Sequence, residues 1–404
     1  MLILEYKLRA NKSQQAAIAE AIRTTQFIRN KALRLWMDGR GVGQYEIQAL
    51  CSQLAKDYPF AARLNSMARQ AAADRAWQSI ARFYKNCREQ KPGKKGYPRF
   101  QKDNRSVEYK TSGWKLEPDG KRLTFTDGHS IGTVRLIGTR AIETFPIGQI
   151  KRVRLLKRAD GYYVQFAVQA ERKTAHEPTG TQVGIDVGLK AFYTNSDGHT
   201  VTNPRYFRKA EKRLKRLHRR VSRKVKRSKN RKKASKRLAK GYLKVQRQRK
   251  DFAAKAASAL VKSHDFIAYE DLSIAHLVKN HRLAKSISDA SWGLFLSWVR
   301  YYGQIAHVPI VAVSARFTTQ DCSGCGYRVK KTLSMRTHVC PSCGLVLDRD
   351  YNATLNILAA ALVLVVAHNR TAGQAETGTL RSANASGQTT SSGRKRLRSA
   401  KLAG

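Results

Sequence analysis

Three carboxylates stand out because their surroundings are apolar. Asp186 is enclosed by the run VGIDVG, Glu270 ends the run FIAYE, and Asp350 precedes a long apolar stretch. An unpaired carboxylate in such a place costs several kcal/mol, so each is expected at an exposed strand end, in a salt bridge or on a cation. For Asp350, capping of a helix is the alternative, because helix N-termini favour acids.

Together the three acids predict a divalent-metal site. Carboxylates on neighbouring strands and one on a returning helix can converge on Mg²⁺, which prefers oxygen ligands. Two such ions about 4 Å apart would orient an attacking water and stabilise the leaving oxygen of a phosphodiester. The sequence contains neither a G-x-x-x-x-G-K-[ST] phosphate loop nor a serine-centred nucleophile elbow, so metal-dependent hydrolysis is the favoured chemistry.

Four of the six cysteines form two Cys-x-x-Cys pairs, Cys322 with Cys325 and Cys340 with Cys343, separated by 14 residues. A glycine follows each pair and permits the left-handed turn that brings the second sulfur round. Four thiolates with no open position are typical of structural rather than catalytic Zn²⁺. The spacing therefore predicts a small zinc ribbon, rather than unrelated thiols or disulfides.

The charge of the chain indicates a polyanionic partner. Its 404 residues contain 78 Lys or Arg and 28 Asp or Glu, a formal net charge of +50. Residues 205–250 alone hold 24 basic residues and one acid, Glu211. This segment is predicted to form two long helices. A solvated helix pair would normally alternate the sign of its charges, so the helices of 205–250 are predicted to lie along phosphates. Nucleic acid is favoured over a membrane surface.

Elements of several kinds must position these residues. After a short strand, apolar residues recur at helical spacing through 11–88, and a basic loop, KPGKKGYPRF, follows at 91–100. The period then shifts toward two, and its clearest hairpin pairs 150–158 with 162–170. Asp289 is expected to cap a helix beginning near Ala290.

No membrane segment is expected. The N-terminus shows no basic region followed by a long apolar run, and the apolar stretch 355–367 is too short to span a bilayer. We interpret that stretch as a buried helix and expect a cytosolic protein.

The motifs resemble those of TnpB, the transposon-encoded RNA-guided nuclease related to type V CRISPR effectors, over nearly the whole chain. The matching segments, in the expected order, are Gly184-Ile185-Asp186-Val187-Gly188, Tyr269-Glu270-Asp271-Leu272, Ser288-Asp289-Ala290-Ser291-Trp292-Gly293, the two Cys-x-x-Cys-Gly pairs, and Asp348-Arg349-Asp350-Tyr351-Asn352-Ala353.

The resemblance implies an α/β multidomain protein with a RuvC-like nuclease domain of the RNase H fold, an inserted zinc ribbon, a helical recognition module and a β-barrel-like wedge module. It implies Asp186, Glu270 and Asp350 as catalytic ligands of Mg²⁺, with Asp350 chosen over Asp348 because the family's acid lies two residues before Asn352. The four cysteines would hold Zn²⁺. A guide RNA would pair with target DNA beside a short motif that the protein reads.

The expected domains follow the chain in order. They are a first wedge strand (1–10), a helical recognition module (11–95), a wedge β module (96–180), the first part of the nuclease (181–321), the zinc ribbon (322–345), the last nuclease helix (346–367) and a disordered tail (368–404).

Two other functions stay open. A DNA transposase would also use three acids and Mg²⁺ but would join strands, and a non-catalytic nucleic-acid-binding repressor would need only the charge.

Overall fold

The computed structural model describes residues 1–172, 174–332 and 335–381, with side chains up to 367. Over the described residues the chain divides into two compact units. The first comprises residues 1–174 and 210–247, and the second comprises 175–209 together with the chain from 248 onward.

Helices of the first unit follow the apolar periodicity. They are α1 (Lys12–Asp38), α2 (Gln44–Asp57), α3 (Pro59–Ala62) and α4 (Ser66–Arg88). Helix α1 begins with a capping box, in which Asn11 Oδ1 accepts from the Gln14 amide at 2.8 Å and Gln14 Oε1 accepts from the Asn11 amide at 3.0 Å. Ile18 and Ile28 are fully buried, as the helical spacing predicted.

A seven-stranded antiparallel sheet accompanies these helices. Its strands are β1 (Leu2–Arg9), β2 (Ser106–Tyr109), β3 (Trp114–Leu116), β4 (Arg122–Phe125), β5 (Gly132–Ile137), β6 (Ile150–Arg158) and β7 (Gly161–Val168), in the order β2-β6-β7-β1-β5-β4-β3. Two short 3₁₀ turns, Ile142–Thr144 and Ile147–Gln149, precede β6. The predicted hairpin is confirmed as β6 paired with β7. The N-terminal strand lies inside the sheet, between β7 and β5.

Two long basic helices follow, α5 (Tyr206–Ser222) and α6 (Lys229–Lys262). Leu214 and Val245 are buried, whereas Val225, between the two helices, is 77 % exposed. A Cβ at Gly241 would lie 3.0 Å from a methyl of Leu214, so the two helices approach closely there.

The second unit is built on a five-stranded sheet. Its strands are β8 (Gln182–Val187), β9 (Ala191–Asn195), β10 (Thr200–Thr202), β11 (Phe266–Glu270) and β12 (Ile310–Val313), in the order β10-β9-β8-β11-β12. The first three pair antiparallel, and β8, β11 and β12 pair parallel. The short helices α7 (Ile274–Leu277) and α8 (Ala284–Ala290) precede α9 (Trp292–Ala306).

Both faces of this sheet are covered. On one face, Ile185 and Tyr269 pack in a core with residues of α6 and α9, including Ala257 and Phe295. The other face carries a helix, α10 (Arg349–Arg381), which follows a two-stranded ribbon of β13 (Thr337–Val339) and β14 (Val346–Asp348).

The interpretation of 355–367 as a buried helix is only half right. Ile357 and Ala361 are fully buried against the sheet, whereas Val363 and Leu364 are exposed to 68 % and 48 %. Arg349–Ala367 is long and apolar enough to cross a membrane by length and composition. One of its faces nevertheless forms core with β11 and β12, which is the arrangement of a helix packed on a sheet.

The C-terminal end differs from the expected boundary at 367. Helix α10 continues to Arg381. The rest of the predicted disordered tail, 382–404, lies outside the described residues.

The predicted capping role of Asp289 is wrong. Asp289 lies inside α8, and α9 starts after Ser291, which adopts a left-handed conformation with φ 60°. The Asp289 carboxylate instead accepts from the amides of Phe207 and Arg208, at 2.8 and 3.0 Å, at the start of α5.

Candidate active site

Asp186 and Glu270 lie at the ends of neighbouring parallel strands. Ile185 of β8 is in register with Tyr269 of β11, and each acid is the next residue of its strand. Since side chains alternate between the faces of a sheet, the two acids point away from the core that holds Ile185 and Tyr269. They therefore share the face that α10 covers.

Gly184 allows α10 to approach that face. A Cβ at this position would lie 2.3 Å from the Thr354 carbonyl oxygen and 2.9 Å from the Leu358 amide nitrogen. Only glycine permits so close a contact between strand and helix backbones. The close approach carries the first turn of α10, with Asp350, toward the strand ends.

Asp348 and Asp350 perform different tasks at the start of α10. Asp348 Oδ1 accepts from the amides of Asp350 and Tyr351, at 2.8 and 3.3 Å, so Asp348 caps the helix. The capping alternative considered for Asp350 is therefore wrong. Asp350 Oδ1 accepts from the Arg349 guanidinium at 2.9 Å, and its Oδ2 lies 3.5 Å from a guanidinium nitrogen of Arg336.

Asp186 interacts electrostatically with Glu270 and with Asp350. Burial raises the pKa of Asp186 well above its usual range, and the negative charges of Glu270 and Asp350 raise it further, against the opposing effect of Arg349. Burial also raises the pKa of Glu270, which is 8 % exposed, although a hydrogen bond from the Thr318 hydroxyl favours its charged form. The structure thus brings together the three carboxylates that the sequence singled out.

This set of donors fits a hard cation. A cation would relieve the mutual repulsion that raises the pKa of Asp186, and carboxylate oxygens are the ligands that Mg²⁺ prefers. Among the described residues, the four cysteines are the only group of three or more His, Cys, Asp or Glu side chains whose ligand atoms all lie within 4.8 Å of one another. The carboxylate oxygens of Asp186, Glu270 and Asp350 therefore do not all lie within 4.8 Å of one another.

The four predicted cysteines converge. Their sulfurs lie within 4.8 Å of one another, with 3.6 Å between Cys322 and Cys343 and 3.5 Å between Cys325 and Cys340. Ligands at Zn–S distances of about 2.3 Å in a tetrahedron would lie about 3.8 Å apart, so the cluster fits Zn²⁺.

The turns of this cluster have the predicted form. Gly326 and Gly344 adopt left-handed conformations with φ of 76° and 73°. Their amides donate to the carbonyls of Cys322 and Cys340, at 2.9 and 3.0 Å, which closes each Cys-x-x-Cys turn. The remaining cysteines, Cys51 and Cys87, lie on α2 and α4.

Several residues that the sequence did not single out connect the cysteine cluster to α10. Asn352 is fully buried, accepts from the Ser323 amide at 3.0 Å and donates to the Asp321 carbonyl at 2.8 Å. Asn356 donates to the carbonyls of Thr318 and Asp321. The polar Asn356 inside an otherwise apolar run was the one signal that could have found this connection.

Comparisons with known proteins match separate parts of the chain. Residues 165–281 match the OrfB_IS605 family, described as "Probable transposase", and residues 292–357 match the "Cas12f1-like, TNB domain" family. These two segments include Asp186, Glu270, Asp350 and all four cysteines.

Two curated relatives carry similar names. A Streptomyces pristinaespiralis protein named "Putative RNA-guided DNA endonuclease" is 29 % identical over 376 residues, covering 89 % of each chain. The Escherichia coli K12 protein of the same name with the addition InsQ is 25 % identical over 300 residues, covering 70 % of this chain and 72 % of that protein.

A solved structure shares the fold. The Cas12f1 chain in a complex with sgRNA and target DNA superimposes with a TM-score of 0.54 at 14 % identity, covering 86 % of this chain and 83 % of that one. At this identity the likeness supports the α/β fold alone.

Proposed function

We propose that this chain, a TnpB-like relative of the type V effectors, is a transposon-encoded RNA-guided DNA endonuclease. The observation that carries the proposal is the convergence of Asp186, Glu270 and Asp350 from two parallel strands and a returning helix. The names of the two curated relatives support the same activity.

We assign the second unit to a RuvC-like nuclease of the RNase H fold. Support comes from its sheet order, three antiparallel strands followed by two parallel ones, with helices on both faces. The cysteine cluster would be a zinc ribbon inserted before α10. In the first unit, helices α1 to α4 would form the recognition module and the seven-stranded sheet the wedge module.

In this proposal Asp186, Glu270 and Asp350 hold Mg²⁺, as two ions. The metal supplies an activated water and neutralises charge on the phosphodiester. The chain orients the carboxylates: Thr318 donates to Glu270, Arg349 donates to Asp350, and Asp348 fixes the first turn of α10.

The guide RNA and the target DNA would be held by positive charge. Residues 205–250 carry a net charge of +23. Lys and Arg on such helices supply affinity for phosphates without reading sequence, and base pairing supplies the sequence information.

The proposal is tested by purifying the full chain from cells that also carry its flanking DNA. We expect a discrete RNA to copurify, and the complex to cut a plasmid that matches this RNA while leaving a mismatched plasmid intact. Cleavage indifferent to the match, or no copurified RNA, would contradict the proposal.

A transposase is the second candidate, because the family matching 165–281 is described as a probable transposase. The same reactions distinguish the two activities. Strand-transfer products joined through a 3′ hydroxyl would favour the transposase, whereas linear products with free ends favour the endonuclease. A protein that binds but never cuts would be the repressor.

A further inference from the structure

An aromatic cluster lies where α1 and α4 meet the basic loop 91–100. The rings of Trp36, Phe83, Tyr84 and Tyr97 have neighbouring centroids 5.3 to 6.2 Å apart. Tyr84 and Tyr97 are exposed to 45 % and 55 %. The cluster, called here the aromatic platform, belongs to the first unit, remote in sequence from the three acids.

The loop is fixed although it contains neither helix nor strand. Asn86 donates to the Lys95 carbonyl at 3.0 Å, and Asn30 exchanges two hydrogen bonds with the backbone of Gln101, at 2.8 and 3.0 Å. Pro98 is buried beside Tyr97 in the sequence. The platform is therefore held in place before any ligand binds, which lowers the entropy cost of binding.

Positive charge surrounds the aromatic platform. Residues 82–102 contain eight basic residues and one acid, Glu89, and that acid is paired with Lys85 and Lys91, at 3.6 and 3.3 Å. The eight basic residues are Arg82, Lys85, Arg88, Lys91, Lys94, Lys95, Arg99 and Lys102. The segment thus combines a net charge of +7 with half-exposed aromatic rings. The ligand that matches this combination is a polyanion that also carries flat apolar groups.

Simple packing of the loop on the helices is the competing interpretation. It accounts for Trp36, whose indole N–H donates to the Tyr84 hydroxyl at 2.8 Å. It leaves unused the 55 % of Tyr97 that stays exposed although the ring contacts Trp36 and Phe83, and this exposed area is open to a ligand. Nor does it account for the concentration of cations, which repel one another unless an anion joins them.

We propose that the aromatic platform binds an unpaired nucleic-acid strand, with bases stacked on the exposed rings of Tyr97 and Tyr84 and the phosphates on Lys94 and Arg99. Every base offers a flat face, so stacking holds a strand without reading its sequence. Inside a duplex the neighbouring base pairs cover both faces of a base, so an internal paired base cannot stack there. The proposal rests on the proposed function and adds a site to it.

The test measures strand binding by the purified full chain. Oligonucleotides of about 12 nucleotides carry one central 2-aminopurine, whose fluorescence is quenched by stacking. A ribo-strand, a deoxyribo-strand of the same sequence and the corresponding blunt duplex are titrated in parallel. The two single-strand arms distinguish an RNA occupant from a DNA occupant, and both support the platform.

Three variants make the test specific. Tyr97→Leu keeps an apolar side chain but removes the flat ring, so single-strand binding should weaken about five- to hundredfold and the quenching should disappear. Tyr97→Phe should stay close to the wild type. Lys94→Gln should reduce the salt dependence of binding and leave the quenching intact.

Two results would overturn the proposal: equal binding and quenching by Tyr97→Leu and the wild type, or tighter binding of the duplex than of either single strand. Because no cleavage is measured, the result is independent of nuclease activity. A chain that never cuts DNA but shows the Tyr97 effect would refute the proposed function and keep the platform.

Discussion

At the scale of residues, Asp348 and Asp350, which are separated by one position, have different roles. Asp348 satisfies backbone amides of α10, whereas Asp350 pairs with the side chains of Arg349 and Arg336, and its negative charge acts on Asp186. The choice between them came from a resemblance of motifs, since both are acids near a helix start. The hydrogen bonds supply the physical reason.

Asp186→Asn should raise the unfolding temperature of the metal-free protein at neutral pH by several degrees. The folded-state pKa of Asp186 is raised, so the favourable contribution of its protonated form is complete below the ordinary value of 3.8 and is lost as pH rises through the folded pKa. Asparagine removes the charge that causes the loss. Calorimetry of the wild type and the variant checks this.

The increase in unfolding temperature caused by Asp186→Asn should be smaller when the pH is lowered toward 3.8 and when Mg²⁺ is present. Either change neutralises the Asp186 carboxylate of the wild type. Asp251→Asn, at an exposed position paired with Lys255, is the control and should change little. A lower unfolding temperature for Asp186→Asn without metal would contradict the electrostatic interpretation.

The sequence was sufficient to select the acids and the cysteines, but not their partners. Acids in apolar runs and paired Cys-x-x-Cys motifs are visible without any knowledge of contacts. Thr318 lies 48 residues from Glu270, and nothing local marks it as a donor to that carboxylate. Such partners follow from packing in three dimensions and could not be predicted from periodicity or composition.

At the scale of elements, contact between β8 and α10 depends on Gly184. Gly184→Ala should cost at least about 2 kcal/mol of unfolding free energy, because the added carbon would clash with helix backbone rather than with a flexible side chain. Cleavage should fall as well, since displacement of α10 moves Asp350. Denaturant unfolding and a cleavage assay measure the two effects.

Gly148→Ala is the matched control. A Cβ there meets nothing within 4 Å, so its stability should stay within about 0.5 kcal/mol of the wild type. Equal effects of the two substitutions would show that close approach at Gly184 is unimportant.

Asp289 joins three helices with one buried carboxylate. Besides the two amides of α5, it accepts from the Arg249 guanidinium of α6 at 2.9 Å, and its side chain is 2 % exposed. Asp289→Ala should therefore cost about 3–5 kcal/mol, because it leaves a partly buried guanidinium without its partner and removes a helix cap. Denaturant unfolding would measure the loss.

Asp251→Ala removes an exposed ion pair of α6, the helix that carries Arg249, and should cost less than about 1 kcal/mol of unfolding free energy. If Asp289→Ala and Asp251→Ala had the same unfolding free energy, Asp289 would not hold the three helices together.

The elements themselves were largely predictable. The β6–β7 hairpin and the early helices follow from period and turn signals. Asp289 was misassigned because the helix that it caps begins 83 residues earlier in the chain, whereas the expected helix lay directly after it. Local rules identify a residue suited to capping but cannot tell which helix end it meets.

At the scale of the whole molecule, the cysteine cluster should stabilise the position of α10. The purified protein should contain about one Zn²⁺ per chain, and Cys325→Ser should lose it. Because Asn352 joins this cluster to α10, loss of zinc should lower cleavage while RNA binding stays intact. Metal analysis, cleavage and RNA binding are measured on the same preparation.

Cys87→Ser changes an exposed cysteine of α4 and should leave all three measurements unchanged. A zinc-free variant that cut DNA at the wild-type rate would show that the cluster does not support the nuclease site.

The +50 charge indicated nucleic acid from composition alone, but could not say which surface holds which strand. Which surface holds which strand depends on where the helices and loops place their cations. The aromatic platform, proposed above to bind an unpaired strand, is one example. Charge predicts the class of partner, and geometry is needed to assign its place.

The most direct measurement compares Asp350→Asn with Asp348→Asn in guided cleavage of a matched plasmid with Mg²⁺. Asparagine still caps a helix, so Asp348→Asn should cut at close to the wild-type rate. Asp350→Asn removes a charged ligand and should lower the rate by about three orders of magnitude or more, with RNA binding unchanged. Undiminished cleavage by Asp350→Asn would show that the three acids do not form the cutting site.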